Sequence, residues 1–198
     1  MNDKKINNIA DFAIKFPSEI KDKEFLTVDN VSLSFNQFSI LVTSYAKKLQ
    51  TLNLSKGDRV GILLFNSIEY LLLMYASMYA GFVPVNINAR YKAKELNYVL
   101  HDSKCKILFT SSQSDEVTNF SEIISSVYDS SEGRPEELID VYIIGGSNDN
   151  RFKNFKEFES ISVDESLNEE AIGSENDPAF VMYTSGTTSN PKGCPLSH

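Results

Sequence analysis

Cysteine and histidine are scarce in this chain, which has two of each among its 198 residues. Cys105 and Cys194 lie far apart, and neither belongs to a CxxC pair or to a run with the spacing of His/Cys metal ligands. A disulfide framework or a structural zinc site needs several such side chains at short, regular intervals. The sequence therefore argues against both kinds of site, and we expect two free thiols in a protein of the reducing cytoplasm.

Positive charge is also in short supply. The chain has 19 Lys and Arg against 27 Asp and Glu, which gives a net charge of −8, and no basic cluster is visible. Nucleic-acid binding draws its affinity from Lys and Arg that neutralise phosphates, so we expect no nucleic-acid partner. Residues 157–177 hold eight acids and no base, which is typical of a solvated connection; a functional acidic site is the alternative.

Long apolar runs are missing as well. The first residues, MNDKKINN, contain no apolar core of the kind that a secretory signal requires. Residues 70–89 are uncharged for twenty positions, which raises the alternative of a membrane span, but Gly81, Pro84 and two asparagines interrupt the run. We predict a buried helix followed by a buried strand there, and no transmembrane segment.

Apolar periodicity alternates between the helical and the extended pattern along most of the chain. Ser34 followed by Gln37 predicts a capping box at the start of one helix, and Asn66 followed by Glu69 predicts the cap of another, which Gly81 ends. The predicted helices span residues 6–14, 35–50, 67–80, 92–101, 117–128 and 152–159, and the predicted strands span residues 25–28, 31–33, 59–65, 82–87, 106–110, 141–144 and 179–183. The pattern predicts an α/β fold of mainly parallel sheets flanked by helices.

The stretch that points most directly to chemistry is residues 183–193, YTSGTTSNPKG, which follow the apolar run 179–182. Six hydroxyl side chains, two glycines and one lysine fall within these eleven residues. Glycines let backbone N–H groups turn toward an anion, hydroxyls donate to phosphate oxygens or ligate a cation, and lysine supplies a mobile positive charge. This composition suits a polyphosphate, and an ordinary solvated linker is the alternative.

The order of these residues discriminates between known phosphate loops. The pattern G-x-x-x-x-G-K-[ST] fails, because Pro191 stands in the place of its second glycine and Gly193 in the place of its hydroxyl. The segment instead resembles [YF]-T-S-G-[ST]-T-G-x-P-K-G, the signature of the adenylate-forming family, with ten of eleven positions in agreement. The departure is Ser189, where the family usually has glycine.

The resemblance extends upstream to about Leu33. Residues 33–38 and 56–63 are similar to two short elements of the family, and residues 78–103 are similar to the acyl-CoA ligase version of a third. Asn86, Asn88 and Arg90 follow Pro84 where peptide-synthetase domains tend to have an aspartate and a second proline. The chain therefore resembles the carboxylic acid CoA ligases most. The resemblance implies that residues 1–198 form the N-terminal, incomplete part of an AMP-dependent synthetase/ligase domain.

The resemblance also implies roles for individual residues. Lys192 would add positive charge beside the phosphates, a hydroxyl such as Thr188 would lie near Mg²⁺, and His198 matches a histidine near the acyl channel; an exposed terminal residue is the alternative for His198. The residues expected to hold ATP are Thr184, Ser185, Gly186, Thr187, Thr188, Ser189 and Lys192.

The implied reaction joins a carboxylic acid, which we expect to be a fatty acid, to coenzyme A by way of an acyl-adenylate. ATP, Mg²⁺ and coenzyme A are the implied cofactors and co-substrates. Two other functions stay open: a non-catalytic nucleotide- or partner-binding module derived from the family, and another adenylating enzyme, luciferase-like or an aryl-CoA ligase. We expect the 198-residue chain alone to be inactive, because the adenine- and ribose-binding motifs of the family would lie after His198.

Overall fold

The computed structural model describes residues 8–115, 118–163, 166–168, 173–184 and 190–198. Its strands are β1 Glu24–Val28, β2 Val31–Ser34, β3 Arg59–Ile62, β4 Val83–Asn86, β5 Cys105–Ser111, β6 Asp140–Ile144, β7 Lys153–Asn154, β8 Pro178–Thr184 and β9 Lys192–Ser197. Its helices are α1 Asp11–Ile14, α2 Phe35–Thr51, α3 Ile68–Tyr79, α4 Ala93–Ser103, α5 Phe120–Tyr128 and α6 Phe155–Glu159, with a 3₁₀ turn at Ser18–Ile20.

Seven of these strands form one sheet in the order β7-β6-β5-β3-β4-β8-β9, and β1 and β2 form a separate hairpin. All neighbours in the large sheet are parallel except β8 and β9, which are antiparallel. Strand order reverses around β3, since β4 lies on one side of it and β5 on the other. Ligands of such sheets bind beyond the carboxyl ends of the strands. The predicted α/β class is confirmed.

The helices cover both faces of the sheet, and each face has its own core. On one face, Leu73 of α3 and Phe158 of α6 pack with Phe109 of β5, and all three are fully buried. On the other face, Leu100 of α4 and Phe120 of α5 pack over the sheet and are also fully buried. Burial of this many large side chains supplies the main stabilisation of the fold.

The helix caps follow the sequence with one correction. Ser34 and Gln37 form the predicted capping box at the start of α2, with N···O distances of 2.8 and 3.2 Å. The cap predicted at Asn66 is wrong by one residue. Ser67 is extended and its hydroxyl accepts from the backbone N–H of Tyr70 at 3.1 Å. This serine therefore provides the hydrogen-bond acceptor that an N–H group in the first turn of α3 needs. Gly81, with φ of +87°, ends α3 as expected.

Other predicted bounds need correction as well. The first helix is shorter, at Asp11–Ile14, and the start predicted at residue 6 lies outside the described residues. The fifth helix begins at Phe120, because the Asn119 side chain caps it; residue 117 lies outside the described residues. Strand β3 ends at Ile62 rather than at residue 65. Lys153 and Asn154 form a short strand rather than helix, because the Asn154 side chain caps α6 and fixes its start at Phe155.

The uncharged stretch at residues 70–89 is most of α3 followed by β4, as predicted. No helix in the described part of the chain is long and apolar enough to cross a membrane.

Both cysteines are free thiols; Cys105 is buried and Cys194 is exposed. Burial raises the pKa of the Cys105 thiol to about 12. Among the described residues, no group of three or more His, Cys, Asp or Glu side chains could hold a metal ion.

Candidate functional site

Strands β8 and β9 carry the hydroxyl-rich segment at the edge of the sheet. β8 is parallel to β4 on one side and antiparallel to β9 on the other. Tyr183 is paired with Gly193 and Thr184 with Lys192, so the residues between these pairs connect the two strands at the carboxyl end of β8. Five of the predicted site residues lie outside the described residues: Ser185, Gly186, Thr187, Thr188 and Ser189.

Thr184 and Lys192 mark the two ends of this connection. They are cross-strand partners and both are exposed. Lys192 forms no ion pair with another described residue. The structure thus brings together two of the residues predicted to bind phosphate. They lie at the carboxyl end of β8, and α/β sheets bind ligands at the carboxyl ends of their strands.

Strand β9 was not predicted from the sequence. All six of its residues are exposed, so the segment shows no alternation of buried and solvated positions. Gly193 and Pro195 also lower its strand propensity, and proline is tolerated because β9 lies at the edge of the sheet. No pattern within residues 192–197 could have identified the strand.

Tyr183 and Gly193, the first and last residues of the signature, are in close contact. A Cβ atom added to Gly193 would lie 3.1 Å from Cζ of Tyr183 and 3.2 Å from its hydroxyl oxygen. The ring therefore occupies the space that any side chain at position 193 would need. The Tyr183 hydroxyl donates to Oδ2 of Asp102 in α4 at 2.6 Å. Burial and this carboxylate together raise the pKa of Tyr183 well above its ordinary value.

A groove of about 660 Å³ separates α4 from the end of the connection. Its walls include Lys94, Tyr98 and His101 of α4, Glu132, and the pair Asn190 and Pro191 that precedes β9. Pro191 is buried and Asn190 is exposed. The groove runs along α4, and its walls combine lysine side chains, an aromatic ring and acids.

His198 lies at the other end of β9, away from Lys192. Six residues, Lys192–Ser197, span about 20 Å in an extended strand. The Nδ1 atom of His198 accepts from the backbone N–H of Ile9 at 3.2 Å, and the backbone N–H of His198 donates to the carbonyl of Asp177 at 3.3 Å. The structure does not bring His198 and Lys192 together. The described contacts of His198 join the first helical turns to β8, and its role at an acyl channel stays a prediction.

We expect this histidine contact to make stability depend on pH. Burial lowers the pKa of His198 below its ordinary 6.5, although the carboxylates of Asp177 and Asp11 oppose the shift. The native state therefore favours the neutral ring, whose contribution is complete above about pH 6.5 and is lost as the pH falls through the lower native pKa. Between pH 7 and pH 5, the free energy of unfolding of the wild type should fall more steeply than that of His198→Asn, whose amide oxygen accepts without titrating. Urea unfolding of both chains measures this, and equal slopes would contradict it.

The sheet and its helices define an α/β domain, and the hydroxyl-rich segment of the sequence directly follows β8. The family model that describes the AMP-binding enzymes matches residues 16–198. The chain belongs to this family of adenylate-forming enzymes.

Individual relatives agree with this assignment. The chain is 32% identical over 169 residues to the long-chain-fatty-acid–CoA ligase FadD13 of Mycobacterium tuberculosis, covering 85% of this chain and 30% of the relative. It is 29% identical over 204 residues to the mitochondrial medium-chain acyl-CoA ligase ACSF2 of Homo sapiens, covering 90% and 31%. The crystal structure of the anthranilate CoA ligase AuaEII in complex with anthranoyl-AMP has a TM-score of 0.78 at 22% identity, covering 96% and 34%, which supports the fold. The chain spans about a third of the length of these relatives.

Proposed function

We propose that the full-length protein activates a carboxylic acid with ATP, releases pyrophosphate, and transfers the acyl group from the adenylate to coenzyme A. The observation that carries this proposal is the pairing of Thr184 with Lys192 at the carboxyl end of β8, within residues 183–193, which match ten of eleven signature positions. The names of the relatives, which are acyl-CoA ligases, support the same reaction.

The site residues would stabilise the negative charge that develops on the phosphate groups during this reaction. A carboxylate oxygen bonds to the α-phosphorus of ATP while the bond from that phosphorus to the bridging oxygen breaks, and negative charge builds up on the departing pyrophosphate. The ammonium group of Lys192 is exposed at this edge and would offset that charge. The hydroxyls of Thr184, Ser185, Thr187 and Thr188, and the backbone of Gly186 and Ser189, would hold the phosphates in line.

A divalent metal ion would supply further positive charge on the phosphate oxygens. Thr188 is the residue we propose to hold Mg²⁺, since a hydroxyl oxygen suits this hard cation. Among the described residues, Thr184 has an exposed hydroxyl at the end of β8.

We infer that the acid is a fatty acid. One relative is named for long-chain and the other for medium-chain acids, and each is about 30% identical to this chain. The anthranilate CoA ligase shares the fold at 22% identity, so an aryl acid is the alternative that a substrate panel must include.

Product analysis with the purified full-length protein tests the proposal. With ATP, Mg²⁺, coenzyme A and a panel of fatty and aryl acids, we expect AMP, pyrophosphate and an acyl-CoA in equal amounts, with fatty acids preferred. The 198-residue chain alone should form no acyl-CoA under the same conditions. ATP binding by the full-length protein without any acid-dependent AMP would favour a non-catalytic nucleotide-binding module instead.

A further inference from the structure

Residues 184–192, which we call the phosphate segment, are attached to the rest of the domain through Tyr183. This residue directly precedes Thr184 in β8, and its cross-strand partner Gly193 directly follows Lys192. The Tyr183 ring therefore lies one residue from both ends of the segment. Because Gly193 has no side chain, the Tyr183 ring can lie against the β9 backbone. Its Cζ atom is 3.1 Å from the position that a Cβ atom would occupy at residue 193.

The hydroxyl of Tyr183 ties this strand pair to α4. It donates to Asp102 at 2.6 Å, and a hydrogen bond to a carboxylate is among the stronger neutral-to-charged contacts in proteins. Asp102 lies in the last turn of α4, a helix fixed to the sheet by Leu96 and Leu100, which are fully buried. The helix that carries Asp102 is therefore packed on the sheet, although the Asp102 side chain is itself exposed.

Helix α4 also forms the wall opposite the end of the segment. Lys94, Tyr98 and His101 of this helix face Asn190 and Pro191 across the groove. The helix is thus joined to the residue before the segment by the Asp102 hydrogen bond, and it faces the residues at the other end of the segment across the groove.

We propose that Tyr183 and Asp102 are positioning residues that fix the ends of the phosphate segment relative to α4. The inference rests on the proposed adenylation reaction. Displacement of reacting groups by about 1 Å can slow an enzyme by up to about 10²-fold. The family signature also accepts phenylalanine at this position, so the hydroxyl contact with Asp102 is a feature of this chain rather than a requirement of the reaction.

The test compares Tyr183→Phe, Asp102→Ala and the double variant in the full-length protein. Each single change should lower kcat for acid-dependent pyrophosphate exchange roughly fivefold, with little change in KM for ATP, and the double variant should be no slower than either single one because the pair acts as one contact. Asp102→Asn keeps an acceptor oxygen and should recover most of the loss. Tyr128→Phe, the same chemical change in α5, is the matched control and should keep wild-type kcat.

Amide hydrogen exchange provides a readout that does not require activity. The amides of β8 and β9 should exchange roughly fivefold faster in Tyr183→Phe than in the wild type, while those of α5 stay unchanged. Unchanged exchange and unchanged kcat in Tyr183→Phe would overturn the positioning role, whatever the activity of the wild type. Faster amide exchange in a protein without any acid-dependent activity would leave the contact standing and overturn the proposed function.

Discussion

Replacing Lys192 by alanine in the full-length protein should slow adenylation by roughly 10²-fold, the effect of removing one preorganised group that stabilises developing charge. Lys192 is exposed and forms no ion pair with another described residue, so its removal costs the fold little. The loss should appear in kcat, because the charge on the pyrophosphate develops in the transition state. Steady-state pyrophosphate exchange at saturating ATP and acid measures it.

Two companion variants separate this charge effect from other causes. Lys156→Ala removes the same charge from an exposed position in α6, beside the opposite edge strand, and should leave kcat unchanged. Ser189→Gly restores the residue that the family usually has and should keep or raise the activity, since glycine widens the accessible backbone conformations. If Lys192→Ala were fully active while Ser189→Gly was inactive, residues 184–193 would be a structural turn rather than a phosphate-binding segment.

Phe109→Ala should have the largest effect on stability, a loss of about 3–5 kcal/mol in the free energy of unfolding. Phe109 lies in β5 at the middle of the sheet and is fully buried. Its ring stacks on Tyr142 at 5.3 Å and meets Phe155 and Phe158 edge-on at 5.9 and 5.1 Å between ring centroids. Truncation removes these contacts and leaves a cavity that three neighbouring rings cannot all move to fill.

Phe12→Ala is the matched control, since Phe12 is 59% exposed and its truncation creates no cavity. Urea unfolding followed by circular dichroism should show a shift of less than about 1 kcal/mol for Phe12→Ala. Equal losses for the two variants would mean that the aromatic cluster on the α2, α3 and α6 face is not the main core of the domain.

Most parts of the fold that were predicted correctly have residues buried in a regular pattern; the hairpin of β1 and β2, which has no buried residue, was predicted from the turn residues between its strands. The strands at β3 to β6 and β8 are short apolar runs between turn residues, and the capping box at Ser34 identifies the start of α2. The start of α3 was misplaced because Asn66 and Ser67 are both good cap residues. Only the local backbone decides which of the two side chains accepts the first helical N–H.

The site was harder to predict because its parts are distant in sequence or lack a pattern. The signature identified Thr184 and Lys192, and β9 was missed because each of its residues is exposed. His198 was predicted from its resemblance to a histidine that follows the family signature. The structure places it at the far end of β9 from Lys192, and its role at an acyl channel stays a prediction. Tyr183 and Asp102 are 81 positions apart, so no local pattern connects them.

Pyrophosphate exchange in the absence of coenzyme A tests the central claim most directly, because it reports the reversible formation of an acyl-adenylate and nothing later. With labelled pyrophosphate, ATP and Mg²⁺, the full-length protein should form labelled ATP only when a suitable carboxylic acid is present, and Lys192→Ala should reduce the rate roughly 10²-fold. Exchange that is absent with every acid, or that is equally fast in Lys192→Ala, would contradict the assignment of this segment to adenylation.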